Sequence, residues 1–140
     1  ITNAYLLTNF TQLIELTLYS NNLADIQFVS TMRNLRRLRV TSNFITDISP
    51  LTNTPYLMHF YAKSNHISSV EPLSNLLLLS SLRLDDNPIF DIMPLIVNAT
   101  TPGSQLTNGT VYLSDTWLAD TNQITLLRNN HVTVIVTNSP

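Results

Sequence analysis

The chain contains no cysteine, so disulfides and thiolate-ligated metal are excluded. It has two glycines in 140 residues, and neither sits in a phosphate-cradling loop. Charged residues make up 11%, against roughly 25% in an average domain. With a net charge of −2, bulk attraction to nucleic acid or an anionic membrane is not expected. No apolar run approaches the ~20 residues that a bilayer-spanning helix needs, so membrane insertion is not expected either. The chain opens on Ile1 with neither an initiator Met nor a secretory signal, and reads as starting inside a longer array. What is abundant is Asn, Thr and Ser on the polar side. The apolar fraction of 44% is enough for one continuous core.

The apolar residues recur with a fixed period. Asn21, Asn43, Asn65 and Asn87 are each 22 residues apart. Three before each stands Leu18, Val40, Ala62 or Leu84, and five before stands Leu16, Leu38, Phe60 or Leu82. Eight before are Leu13, Leu35, Leu57 and Leu79; two after are Leu23, Ile45, Ile67 and Ile89. Five after come Ile26, Ile48, Val70 and Ile92, and eight after come Val29, Leu51, Leu73 and Leu95. The consensus is L-x-x-L-x-L-x-x-N-x-I, followed by x-D-I-x-P-L, best seen at Asp47–Leu51 and Asp91–Leu95.

This unit resembles the leucine-rich repeat in its 22-residue form, as in bacterial internalins and in the repeat subunit that regulates a Ser/Thr phosphatase. The resemblance implies an α/β solenoid, with short parallel strands on a concave face and short 3₁₀ turns and loops on a convex face. The physical reading agrees. The L-x-L step alternates with period two, as a half-buried strand does. One unit cannot bury its own apolar side, and stacking buries it between neighbours. The four asparagines form a structural ladder, their amides satisfying buried backbone groups where the chain turns out of each strand. Pro50, Pro72 and Pro94 fix φ at the outer turn, and 22 residues leave little room there for a full helix. Asp25, Asp47 and Asp91 recur at one repeat position and read as turn or cap residues.

Three regions follow. Residues 1–12 align as the tail of a truncated upstream repeat, with Ile1, Ala4, Leu7 and Phe10 in its apolar positions. Residues 13–95 hold four full repeats. Residues 96–140 contain an insertion loop (99–109), a degenerate repeat with Thr116 in the Asn slot, and a closing unit. The closing unit has helical character over 120–130 and a final strand at Val132, Val134 and Val136. It resembles the C-terminal cap of bacterial repeat arrays.

The residues six, four and two before each Asn should line the concave face. They are Glu15, Thr17, Tyr19; Arg37, Arg39, Thr41; His59, Tyr61, Lys63; Ser81, Arg83, Asp85; and Thr110, Tyr112, Ser114. Four of the seven cations fall here, and Arg alternates with Tyr along the middle column. Both residue types are enriched in interface hot spots. The candidate partner-binding residues are therefore Tyr19, Arg37, Arg39, His59, Tyr61, Lys63, Arg83, Asp85, Tyr112 and Trp117. Phe44, His66 and Trp117 follow the Asn slots and should rim one edge. A plain solvated sheet is the alternative, since Tyr and Thr favour strands and cross-strand pairs stabilise them.

Chemistry-bearing patterns are weak. His59 and His66 lack zinc-ligand spacing, and Asp85-Asp86-Asn87 with Asp91 lacks the Gly and terminal Glu of a calcium loop. No cofactor, metal site or catalytic residue is expected. The sequence reads as a non-enzymatic binding module for a protein, or alternatively a glycan, but not for nucleic acid. The resemblance places it on a bacterial surface or in secretion. The alternatives are an intracellular scaffold or enzyme-regulatory subunit, and the targeting part of a larger enzyme. Asn9, Asn98 and Asn108 head glycosylation sequons, which chance supplies readily in so Asn- and Thr-rich a chain.

Overall fold

A computed structural model describes residues 4–118 and 120–137; Ile1, assigned above to an upstream repeat tail, lies outside them. Each repeat contributes a three-residue strand centred on the first residue of its L-x-L step. The strands are β1 (Glu15–Thr17), β2 (Arg37–Arg39), β3 (His59–Tyr61), β4 (Ser81–Arg83), β5 (Thr110–Tyr112) and β6 (Thr133–Ile135). They form one parallel sheet in chain order. Leu16, Leu38, Phe60, Leu82, Val111 and Val134 line up as successive rungs. From Leu38 to Val134 these middle residues are buried, while Leu16, on the edge strand, is only partly covered. Strands this short hold because each one between the edges pairs on both sides and contributes to a single apolar core.

The outer side is built from 3₁₀ turns at Tyr5–Asn9, Gln27–Thr31, Ser49–Asn53 and Glu71–Leu73. The starts of the last three of these turns, and of the segment that follows Asp91, share one device. Asp25 Oδ1 accepts the Gln27 N–H at 3.0 Å, Asp47 Oδ1 that of Ser49 at 2.8 Å, and Asp91 Oδ1 that of Met93 at 2.8 Å. In the third coil Ser69 Oγ takes this place, accepting from Glu71 N at 3.3 Å. These acceptors satisfy an N–H that the short turn leaves orphaned.

The fourth coil departs from expectation. Its outer leg is the helix α1, Met93–Thr100, which overlaps the stretch read as loop. The start signal is unchanged (Asp91, then Pro94), but the coil is seven residues longer, so the helix has room to propagate. Ile92, Leu95, Ile96 and Ala99 are buried at helical spacing. Buried Asn98 ties the insertion to the previous coil, donating to Leu73 O at 2.8 Å and Leu76 O at 3.1 Å. That burial leaves its sequon no exposed amide. Gly109 then lies against the third-to-fourth coil junction, where an added Cβ would meet Ser80 O at 2.6 Å. Beyond β5, the helix α2 (Asn122–Asn129) places Leu127 in the core and leads to β6.

A feature absent from the sequence reading recurs at the turns out of β1 to β5. Ser20, Ser42, Ser64, Asp86 and Asp115 all have φ between 53° and 56°. This is the left-handed region, where short polar side chains are tolerated and β-branched ones are strained.

Candidate functional site

The asparagine ladder sets the geometry of the face. Asn65 Oδ1 accepts the Ile45 N–H at 3.0 Å, and its Nδ2 donates to Val40 O at 3.0 Å and Ala62 O at 2.9 Å. Asn43 and Asn87 repeat the arrangement, accepting from Leu23 N and Ile67 N. All three are buried. Asn21, at the first rung, is half-buried and donates to Leu18 O and Tyr19 O. Thr116 does not continue the ladder. Among the described residues its hydroxyl reaches only Leu113 O at 2.8 Å, and the Ile89 N–H turns back to Asn87 O. Each of the three buried amides thus bridges two coils and keeps the strands in register.

That register brings the middle column together. Cα partners run Thr17, Arg39, Tyr61, Arg83, Tyr112 and Ile135. The Arg39 guanidinium lies 5.5 Å from the centre of the Tyr61 ring, and that of Arg83 lies 5.9 Å from it on the other side. Arg83 also stacks on Tyr112 at 4.5 Å. Tyr61 is therefore flanked by two cations, and Arg83 sits between two rings. Such contacts are worth about 0.5–1 kcal/mol each at exposed sites, enough to favour one rotamer. Tyr19, Arg39, Thr41, Tyr61 and Arg83 enclose a shallow hollow of about 300 Å³.

The column six before the Asn is different in character. Arg37 bonds Glu15 at 2.6 Å across β1 and β2. His59 sits beside them, half-buried, with Nδ1 unpartnered; burial, then the Arg37 charge, push its pKa below the ordinary value. In the third column Tyr19 and Lys63 are exposed. Asp85 is not on the face as expected: it is buried, and Oδ1 accepts the Ser114 N–H at 3.2 Å. The repeat position alone could not show this, because the bond is made to a backbone group 29 residues further on, in the irregular coil. Trp117 lies off the sheet, exposed, with its ring edge-on to Phe90 at 5.6 Å. Phe44 and His66 stack at 5.8 Å along the same rim.

Four acids stand on the outer side and four cations on the concave side. Asp25, Asp47, Glu71 and Asp91 are exposed at the starts of the outer turns. Arg37, Arg39, Lys63 and Arg83 face the concave side, with Glu15 as the exposed acid on these strand positions. The concave sheet is thus cationic on a chain of net charge −2. Among the described residues, no His, Asp and Glu side chains cluster to hold a metal, and no helix is long and apolar enough to cross a membrane.

A parallel one-strand-per-coil sheet, 3₁₀ outer turns and an inter-coil asparagine ladder define a leucine-rich repeat solenoid. The chain is a leucine-rich repeat protein with internalin-like repeats. The family model for leucine-rich repeats in two copies matches residues 11–53. Among solved structures, internalin C2 of Listeria monocytogenes superposes with a TM-score of 0.83 at 29% identity, over 99% of this chain and 57% of that one. A second internalin of that organism, InlF, gives 0.77 at 22% identity, over 100% of this chain and 47% of that one. A leucine-rich repeat protein of Leptospira interrogans gives 0.77 at 17%, over 98% and 34%. At the latter two identities the likeness is one of fold. The chain spans between about a third and three-fifths of these proteins' lengths. No curated protein sequence matches it. Stacked repeats of this kind present extended concave surfaces that serve as binding faces.

Proposed function

We propose that the chain is a non-catalytic module that binds a protein through its concave sheet. The observation that carries this is the Arg39–Tyr61–Arg83–Tyr112 column, stacked and solvent-facing on four paired strands. Arg and Tyr combine large contact area with directional polar ends, and pre-ordered side chains lose less entropy on binding. Tyr19 and Lys63 extend the face, while Arg37 and His59 form its second column. Trp117, with Phe90, stands at a separate rim and would contact only a partner that overhangs that edge. The internalin-like repeats support placement on a bacterial surface or in secretion.

Affinity capture with the full-length protein tests the reading, comparing wild type with Arg39→Ala/Tyr61→Ala. Loss of the captured protein is the expected result; capture at undiminished affinity would contradict it.

A further inference from the structure

The concave face carries more positive charge than its surroundings, and most of that charge is unspent. Arg37 is paired with Glu15. Arg39, Arg83 and Lys63 are exposed and, among the described residues, have no ion pair or hydrogen-bonded side-chain partner. The ring contacts hold the two guanidiniums over Tyr61 and Tyr112 without using a hydrogen bond, so their N–H donors remain available to a ligand. Those donors match a carboxylate bidentately. We infer that this face takes an extended acidic segment of a partner protein, laid along the solenoid axis, with carboxylates that engage Arg39 and Arg83.

The spacing sharpens the inference. Arg39 and Arg83 occupy register positions two strands apart, with Tyr61 between them. Two strand spacings are about 9.6 Å. In a polyproline II segment residues i and i+3 share a side and are separated by about 9.3 Å. An acidic residue at every third position therefore meets both arginines. The intervening residues lie over the Tyr61 ring, in the hollow lined by Tyr19, Arg39, Thr41, Tyr61 and Arg83. Extended segments dock on aromatic-lined grooves in this way because their backbone loses little freedom on binding. A β-strand ligand fits worse, since its i and i+3 side chains point to opposite faces.

This inference rests on the concave-face reading and adds the chemistry of the ligand. The probe is a synthetic peptide with Glu at every third position in a proline background, titrated into the full-length protein at low salt. The comparisons are a Gln-substituted peptide and one with the same composition but Glu at every second position. The every-third peptide should bind at least tenfold more tightly than either, and weaken as salt rises. Arg39→Gln/Arg83→Gln should abolish the preference, and Arg39→Lys/Arg83→Lys, which keeps the charge without the planar fork, should reduce it. Equal binding of the two Glu registers, binding undiminished in the double Gln variant, or no binding at low salt would overturn the inference. So would a heparin-derived oligosaccharide that binds through the same arginines while the peptide does not. A protein partner still crosslinked to the concave face in that case would leave the binding-module reading intact and remove only the acidic ligand.

Discussion

Replacing Asn65 by Ala removes one amide that serves two coils. Its Oδ1 is the acceptor for the Ile45 N–H, which is then left buried without a partner. An orphaned buried donor costs about 1–3 kcal/mol. The carbonyls of Val40 and Ala62 lose a bond each but retain one, from Asn43 Nδ2 at 2.9 Å and Asn87 Nδ2 at 3.0 Å. Each loss of that kind is worth about 0.5–1.5 kcal/mol. The sum is about 2–6 kcal/mol, a large part of the 5–15 kcal/mol that holds a typical domain. Asn21→Ala should cost less, because Asn21 is half-buried where Asn65 is buried, and a more exposed polar group can exchange its bonds for water. Urea unfolding of both variants measures the difference, and hydrogen exchange at the Ile45 amide reports its cause. Equal losses for the two variants, or unchanged protection at Ile45, would refute the ladder as the source of register.

Phe60→Ala empties the middle of the core at a fully buried site and should cost about 3–5 kcal/mol in the same unfolding assay. Gly109→Ala drives a methyl into Ser80 O and should lower the melting temperature, whereas Gly103→Ala meets no atom, and its cost comes only from its φ of +88°. His59 has a depressed pKa, so the unfolded chain binds a proton at higher pH than the folded one. Its contribution to stability is present above about pH 6.5 and is lost as pH falls toward the folded value; His59→Gln should flatten that part of the pH–stability profile. Ser42→Val places a β-branched residue at φ 56° and should destabilise, with Ser42→Gly as the tolerated control.

Most of the fold was legible because a solenoid fixes the environment of each repeat position. Leu38, Phe60 and Leu82 are buried for the same reason, and the alternation that buries them turns Arg39, Tyr61 and Arg83 outward. Where the period breaks, legibility fell. The helix at Met93–Thr100 was readable from the spacing of Ile92, Leu95, Ile96 and Ala99, but the neighbouring Thr, Pro and Gly suggested a loop. Asp85 occupies a face position by count yet is drawn inward by the Ser114 N–H, a demand created 29 residues later. The left-handed serines carry only a weak sequence signal, since glycine would be the usual marker. Side-chain stacking along the Arg–Tyr column depends on rotamers, which residue spacing does not specify.

Photo-crosslinking locates a partner most directly. With a crosslinking amino acid at position 61 of the full-length protein, and a control at position 52 on the outer turn, a protein should be trapped from position 61 alone. Trapping from position 52 with none from position 61 would contradict recognition by the concave sheet.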